Sequence, residues 1–239
     1  CEARNLGINN SIGDVIVFLT ADTILKPDYL EKISLEYQDS TLDMLTVRSE
    51  ASNLSNYLAR FIDCQSKKGE DHPHFNPFTT QGYSVRKKSA KEVGLISGKP
   101  YPFNFCRDWT LGEKLYNSKY NLKHLKSLVV YHKAPQDLLD YWTVRKTRGL
   151  MSAYQPYYFF GKILSYLFLK FTVKSLISLF KIFLLFPVIL EIYSLTKYSK
   201  KRSDFFLFIF PYFVQEYAFR YGEFKGLFNI LRKNKIGKN

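Results

Sequence analysis

Three cysteines in 239 residues, at positions 1, 64 and 106, are too few and too irregularly spaced for a disulfide framework. An odd count without paired spacing points to reduced thiols, and so to an active site facing the cytoplasm. The chain also lacks an uncharged apolar run of the roughly 18–20 residues needed to cross a bilayer. Even its most hydrophobic part is interrupted by Lys170, Lys174, Lys181 and Glu191, which disfavours a simple spanning helix. No secretory signal or transit peptide opens the sequence, and neither does a Met. The chain reads as a fragment.

Acids are the other shortage, with 21 Asp and Glu against 35 Lys and Arg. The imbalance is local: residues 151–239 carry a net +10 and residues 1–150 only +4. A pI near 9.5 raises the question of nucleic acid, but the basic residues of the tail sit among apolar helical segments rather than in a solvated stripe with stacking aromatics. Nucleic acid is therefore not an expected partner. A hydrophobic content of 46% is ample for the core of one α/β domain, residues 1–150, followed by a helical, basic region, residues 151–239.

What is present is most informative in the first thirty residues. Ala3, Leu6 and Ile8 around Asn5 and Asn9 fit a helix that stops before Gly13. The run Val15-Ile16-Val17-Phe18-Leu19, bounded by Gly13-Asp14 and Thr20-Ala21-Asp22, reads as a central strand of a parallel sheet. Open α/β sheets bind ligands just beyond the carboxyl ends of their strands, where Asp22 would sit. Downstream, Phe78-Thr79-Thr80-Gln81-Gly82-Tyr83-Ser84-Val85-Arg86-Lys87 and Val93-Gly94-Leu95 precede Arg107-Asp108-Trp109, with Asp108 at the head of a helix carrying Leu111 and Leu115. An Asp there is a good N-terminal cap.

The order Ala3-Arg4-Asn5-x-Gly7, Gly13-Asp14 and a strand ending at Asp22 resembles the family-2 glycosyltransferases of the GT-A fold, and the block from Phe78 to Leu111 is similar to a second part of that family. The resemblance implies an α/β GT-A sheet with flanking helices, lacking its first strands. It also implies inverting transfer of a sugar from a nucleotide-diphosphate donor to a hydroxyl of a lipid-linked or glycan acceptor, in cell-surface polysaccharide or glycoconjugate synthesis. Asp22 then stands where the family binds Mn²⁺ or Mg²⁺, Asp108 where it keeps the catalytic base, and Arg4 and Asn5 where it contacts the nucleotide. Thr20 departs from the usual Asp-x-Asp pair, as in rhamnosyltransferase-like members, and Arg107 replaces an acid. A hard cation takes its other ligands from phosphates and water, so one carboxylate can suffice.

His132 follows the apolar run Ser127-Leu128-Val129-Val130-Tyr131, at the family's position for a residue completing the metal or diphosphate site. Imidazole is a competent ligand for Mn²⁺, and a hydrogen-bonded structural His is the alternative. Arg145 and Arg148 are three apart, so they share a helix face. Either they address the donor's diphosphate or they form a solvated basic face. A Gln-x-x-Arg-Trp motif is absent, so processive polymerisation is unsupported. Glu70-Asp71-His72-Pro73-His74 offers carboxylates and imidazoles together, but Pro73 and the missing partner spacing argue for a loop.

In the tail, Lys170, Lys174 and Lys181 fall within about 40° on a helical wheel, opposite Phe168 and Leu179. This predicts an amphipathic helix lying in the plane of a membrane, ended or kinked by Pro187, followed by the basic cluster Lys197 to Arg202, which suits anionic lipid head groups. Residues 205–213, broken by Pro211, form a second short apolar stretch. A polyprenyl-phosphate sugar transferase is the nearest alternative function. A non-catalytic membrane-surface scaffold is the alternative from another class.

Overall fold

The computed structural model describes residues 2–72, 81–96 and 109–236. They divide into two compact units, residues 1–52 with 69–133, and residues 53–68 with 134–239.

The first unit is α/β. Helix α1 (Glu2–Asn10) leads to β1 (Val15–Val17), β2 (Thr23–Ile24), α2 (Tyr29–Glu36) and β3 (Leu42–Ala51). After α3 (Tyr57–Glu70), which begins in the second unit, come β4 (Ser84–Arg86), α4 (Lys87–Glu92), α5 (Trp109–Asn117) and β5 (Asn121–His132). The strands form one sheet in the order β1-β4-β3-β5-β2, in which β3 and β5 are parallel and every other pair antiparallel. The helix over Ala3–Asn9 is where the sequence puts it.

The strand after it is not. β1 is a three-residue edge strand, half-buried and antiparallel to β4, rather than the centre of a parallel sheet. Its apolar run continues past the strand as Phe18, whose backbone pairs with Gly82 and Tyr83. The central position belongs to β3, buried along most of its length. Alternation decides its two faces: Met44 packs with Ile8, Phe18, Val85, Leu111 and Leu115, whereas Leu45 and Val47 pack with Tyr29, Ile33, Leu128 and Val130. Arg86 fastens the α2–β3 turn by donating to the carbonyls of Tyr37, Asp39 and Leu42.

Glu70 also differs from its expected place. It is the last residue of α3 rather than part of a loop, and its buried carboxylate accepts from Arg48 Nε at 2.8 Å. A buried charge held this way is a structural element. The histidine of that sequence cluster which the structure describes, His72, follows in a turn; Pro73 and His74 lie outside the described residues.

The second unit is all helix beyond its connections: the body of α3, α6 (Leu138–Phe160), α7 (Leu164–Leu184), α8 (Phe186–Thr196), α9 (Asp204–Leu207) and α10 (Ile209–Ile236). A domain boundary at residue 150 would fall inside α6, and the units divide at 133/134 instead. Asp137 caps α6 by accepting from the Asp140 backbone N–H at 2.8 Å, and Gly161 closes it in the left-handed conformation. α6 and α10 meet backbone to backbone. A Cβ on Gly149 would lie 2.1 Å from the Phe219 carbonyl, and one on Gly222 2.2 Å from that of Lys146, so only glycine fits this seam.

The kink expected near Pro187 is there. α7 and α8 meet at 87°, with the break at Leu185 and Pro187 in the first turn of α8, where its missing N–H breaks no helical bond. Pro211 likewise sits in the first turn of α10, and the second apolar stretch breaks earlier, at Phe208. Among the described residues no single helix is long and apolar enough to cross a membrane; the bent pair α7–α8 reaches that length and composition together. α7 has three faces rather than two. Leu167, Phe171 and Ser178 are buried, Lys174 and Lys181 are exposed, and a wide arc including Phe168, Leu169, Leu176 and Phe180 is apolar and exposed.

Candidate active site

In the first unit two candidate residues stand near the end of β5. β2 pairs with β5 so that Thr23 stands opposite His132, which sets Asp22 one residue from that pair at the sheet edge. The turn leading in is closed by the Thr23 N–H on the Thr20 carbonyl at 3.0 Å. Thr20, which replaces the expected acid, donates its hydroxyl to the Asp22 carboxylate at 2.5 Å and lies 2.8 Å from the Thr23 hydroxyl. The replacement therefore orients the remaining carboxylate instead of adding a second charge. Asp22 is exposed.

His132 is half-buried. Its Nδ1 lies 3.4 Å from the hydroxyl of Ser49, and its carbonyl accepts from the Ser52 N–H at 2.8 Å. With Nδ1 engaged, Nε2 is the nitrogen available to a ligand. Thr20 and Ser49 are contributions that reading the sequence missed. A hydroxyl two residues before an Asp in a turn is a visible signal for the first. The second depends on the parallel register of β3 and β5, which no local pattern encodes.

Among the described residues no group of three or more His, Cys, Asp and Glu side chains could hold a metal ion. Asp22 and His132 are two donors at one edge, a hard carboxylate and an imidazole. That donor set fits Mn²⁺ or Mg²⁺ only with phosphate oxygens and water completing the shell.

The remaining candidates are spread out. Asn5 on α1 closes a two-bond clamp on Ile96, donating to its carbonyl at 2.9 Å and accepting its N–H at 3.1 Å, which gives this residue a structural task. Arg4 is half-buried on the same helix. Asp108 lies outside the described residues, immediately ahead of α5. Arg145 and Arg148 belong to the second unit and part company there. Arg145 stands over the Phe219 ring at 5.4 Å with a buried Nε, and burial together with Arg148 and Arg220 lowers its pKa, partly opposed by Tyr141. Arg148 is exposed.

The family model described as Glycosyl transferase family group 2 matches residues 15–215. The chain belongs to that family. The match runs from β1 into the first turns of α10 and so takes in part of each unit. No curated protein matches the sequence. Among solved structures the chain is similar to S. aureus TarS 1-349, at 11% identity and a TM-score of 0.41, over 93% of this chain and 69% of that one. As a family-2 glycosyltransferase domain the chain is a transferase by kind, with an α/β sheet and flanking helices.

Proposed function

We propose that the protein is a GT-A, inverting glycosyltransferase that moves a sugar from a nucleotide-diphosphate donor to a hydroxyl of a lipid-linked or glycan acceptor at a membrane surface, with its active site on the cytoplasmic side. The observation that carries the reading is the Thr23–His132 register inside the family match, because it puts a carboxylate and an imidazole at one sheet edge. In this reading Asp22 and His132 hold the divalent cation, with Thr20 and Ser49 steadying them. The bound cation would offset negative charge on the leaving diphosphate. Asp108 takes the proton of the acceptor hydroxyl as its oxygen attacks the anomeric carbon. Arg4 contacts the nucleotide, and Asn5 holds the Ile96 backbone.

The test is donor turnover by the full-length protein in lipid, across UDP-, GDP- and dTDP-sugars with Mn²⁺, beside Asp108→Asn and Asp22→Asn. Each substitution is expected to lower turnover at least about a hundredfold, about 2.7 kcal/mol of barrier. Thermal unfolding of Asp22→Asn should stay unchanged, since the side chain is exposed. Absence of turnover with every donor, together with no bound nucleotide in native mass spectrometry, would replace the transferase with the membrane-surface scaffold.

A further inference from the structure

Within the second unit, the C-terminal half of α6 and the first turns of α7 enclose a cleft of about 430 Å³. Arg148, Lys162 and Lys170 line it, with Gln155, Phe160 and Tyr166, and no lining residue is acidic. Among the described residues none of the three cations is ion-paired, although other cations of this unit are: Lys67 with Asp63, Arg60 with Asp204, Arg220 with Glu223. Lys170 instead lies over the Tyr166 ring at 6.0 Å. Three like charges around one concavity repel each other and are relieved by an anion.

An apolar track starts at the same place. Tyr166, Leu169, Val173, Leu176 and Phe180 recur at three- and four-residue intervals, so they form one stripe along α7. All are between 46% and 64% exposed. At 1.5 Å per residue the stripe is about 21 Å long, comparable to an extended acyl chain in one leaflet. A soluble anion would use the cleft and leave the stripe bare. An anionic head group with a hydrocarbon chain uses both.

We propose that the cleft and stripe bind a lipid whose head group carries a phosphate monoester or diphosphate, the phosphate between Lys162, Lys170 and Arg148 and the chain along α7. The inference rests on the lipid-linked acceptor of the reading above for its place in the reaction, and on this unit alone for its geometry. The experiment is vesicle flotation of the full chain with neither donor nor metal, using phosphatidylcholine vesicles containing either phosphatidic acid or phosphatidylglycerol, matched for surface potential. Phosphatidic acid is expected to bind about tenfold more tightly, the worth of one further hydrogen bond to a charged group. Lys162→Ala/Lys170→Ala should erase that preference. Lys200→Ala/Lys201→Ala, in the basic segment after α8, should weaken binding to both vesicles and keep it. Circular dichroism checks that each variant stays helical. Equal binding of the two lipids, or a preference surviving in Lys162→Ala/Lys170→Ala, overturns the proposal. So does a titration with UDP alone whose affinity falls in that variant, because it gives the cleft to a soluble diphosphate. With no donor present, failure here leaves the transfer reading standing, and an inactive enzyme with intact lipid preference leaves this one standing.

Discussion

The two units differ in how much charge they bury: the first holds Glu70 against Arg48, whereas the second buries Asp63, Asp204 and Glu223. In the first, apolar side chains fill both faces of a sheet, and the carboxylate of the candidate site, Asp22, is left exposed at its edge. In the second, charge is put inside: Asp204 and Glu223 are wholly buried, paired with Arg60 at 2.6 Å and Arg220 at 2.6 Å, while Phe183 and Phe186 at the α7–α8 bend stay 83% and 65% exposed. The Arg60–Asp204 pair joins α3 to α9. The contrast also separates chemistry from stability. Asp22 of the first unit is exposed and removable, whereas Asp204 and Glu223 of the second are part of its core.

The sharpest way to break this contrast is Arg60→Leu. It strands the buried Asp204 carboxylate with Ser199 as its remaining side-chain partner, and about 3–5 kcal/mol of unfolding free energy should be lost. Chemical denaturation measures it, and Arg60→Leu/Asp204→Leu should recover much of the loss. A cost no greater than that of an exposed pair would mean the second unit is not organised by its buried charge. Next in size is Gly222→Ala. The new methyl meets the Lys146 carbonyl, so α6 and α10 must spread, at about 1–3 kcal/mol read from thermal unfolding. Unchanged stability there would show that the helix pair slides freely.

The smallest effect is a difference in acid response. His124 in the first unit has its pKa lowered from 6.5, chiefly by burial, with Lys126 and Arg48 adding to this and Glu70 opposing. The unfolded chain therefore binds a proton that the folded unit resists, and stability complete above about 6.5 is lost as pH falls through the lowered value. Asp204 in the second unit is pushed up by burial, but hydrogen bonds from Arg60 and Ser199 outweigh this and hold it below 3.8. Its contribution is present above 3.8 and lost only as pH falls through a still lower value. Hydrogen exchange across mild acid should show β5 amides opening before those of α9. The reverse order would overturn the assignment of the two groups. Burial also pushes the Cys64 thiol up to about 12, Asp63 and Asp204 adding to this, so it should resist alkylation in the folded protein throughout.

Much of this was legible in the sequence where the signal was local. The α1 helix, the break near Pro187 and the helix carrying Arg145 follow from periodicity and proline chemistry, which act within a few residues. Family membership was legible for the same reason, because the motifs around Arg4, Asp22 and Asp108 are short and ordered. The rank of β1 was not, since a β-branched run is compatible with centre or edge until its partners are known. Nor was the value of the segment Tyr217 to Gly226, whose Gly222-x-x-x-Gly226 spacing announces close packing only once α6 supplies Gly149 opposite.

By itself, then, the sequence determined the α1 helix, the helix carrying Arg145, the break near Pro187, and where the basic charge lies. Only tertiary structure decided that β2 and β5 bring Asp22 beside His132, that Arg145 and Arg148 face different surroundings, and that Glu70 is a buried partner of Arg48. Register and burial are relations between residues far apart along the chain, and a local pattern constrains what each residue can do without fixing which distant one it meets.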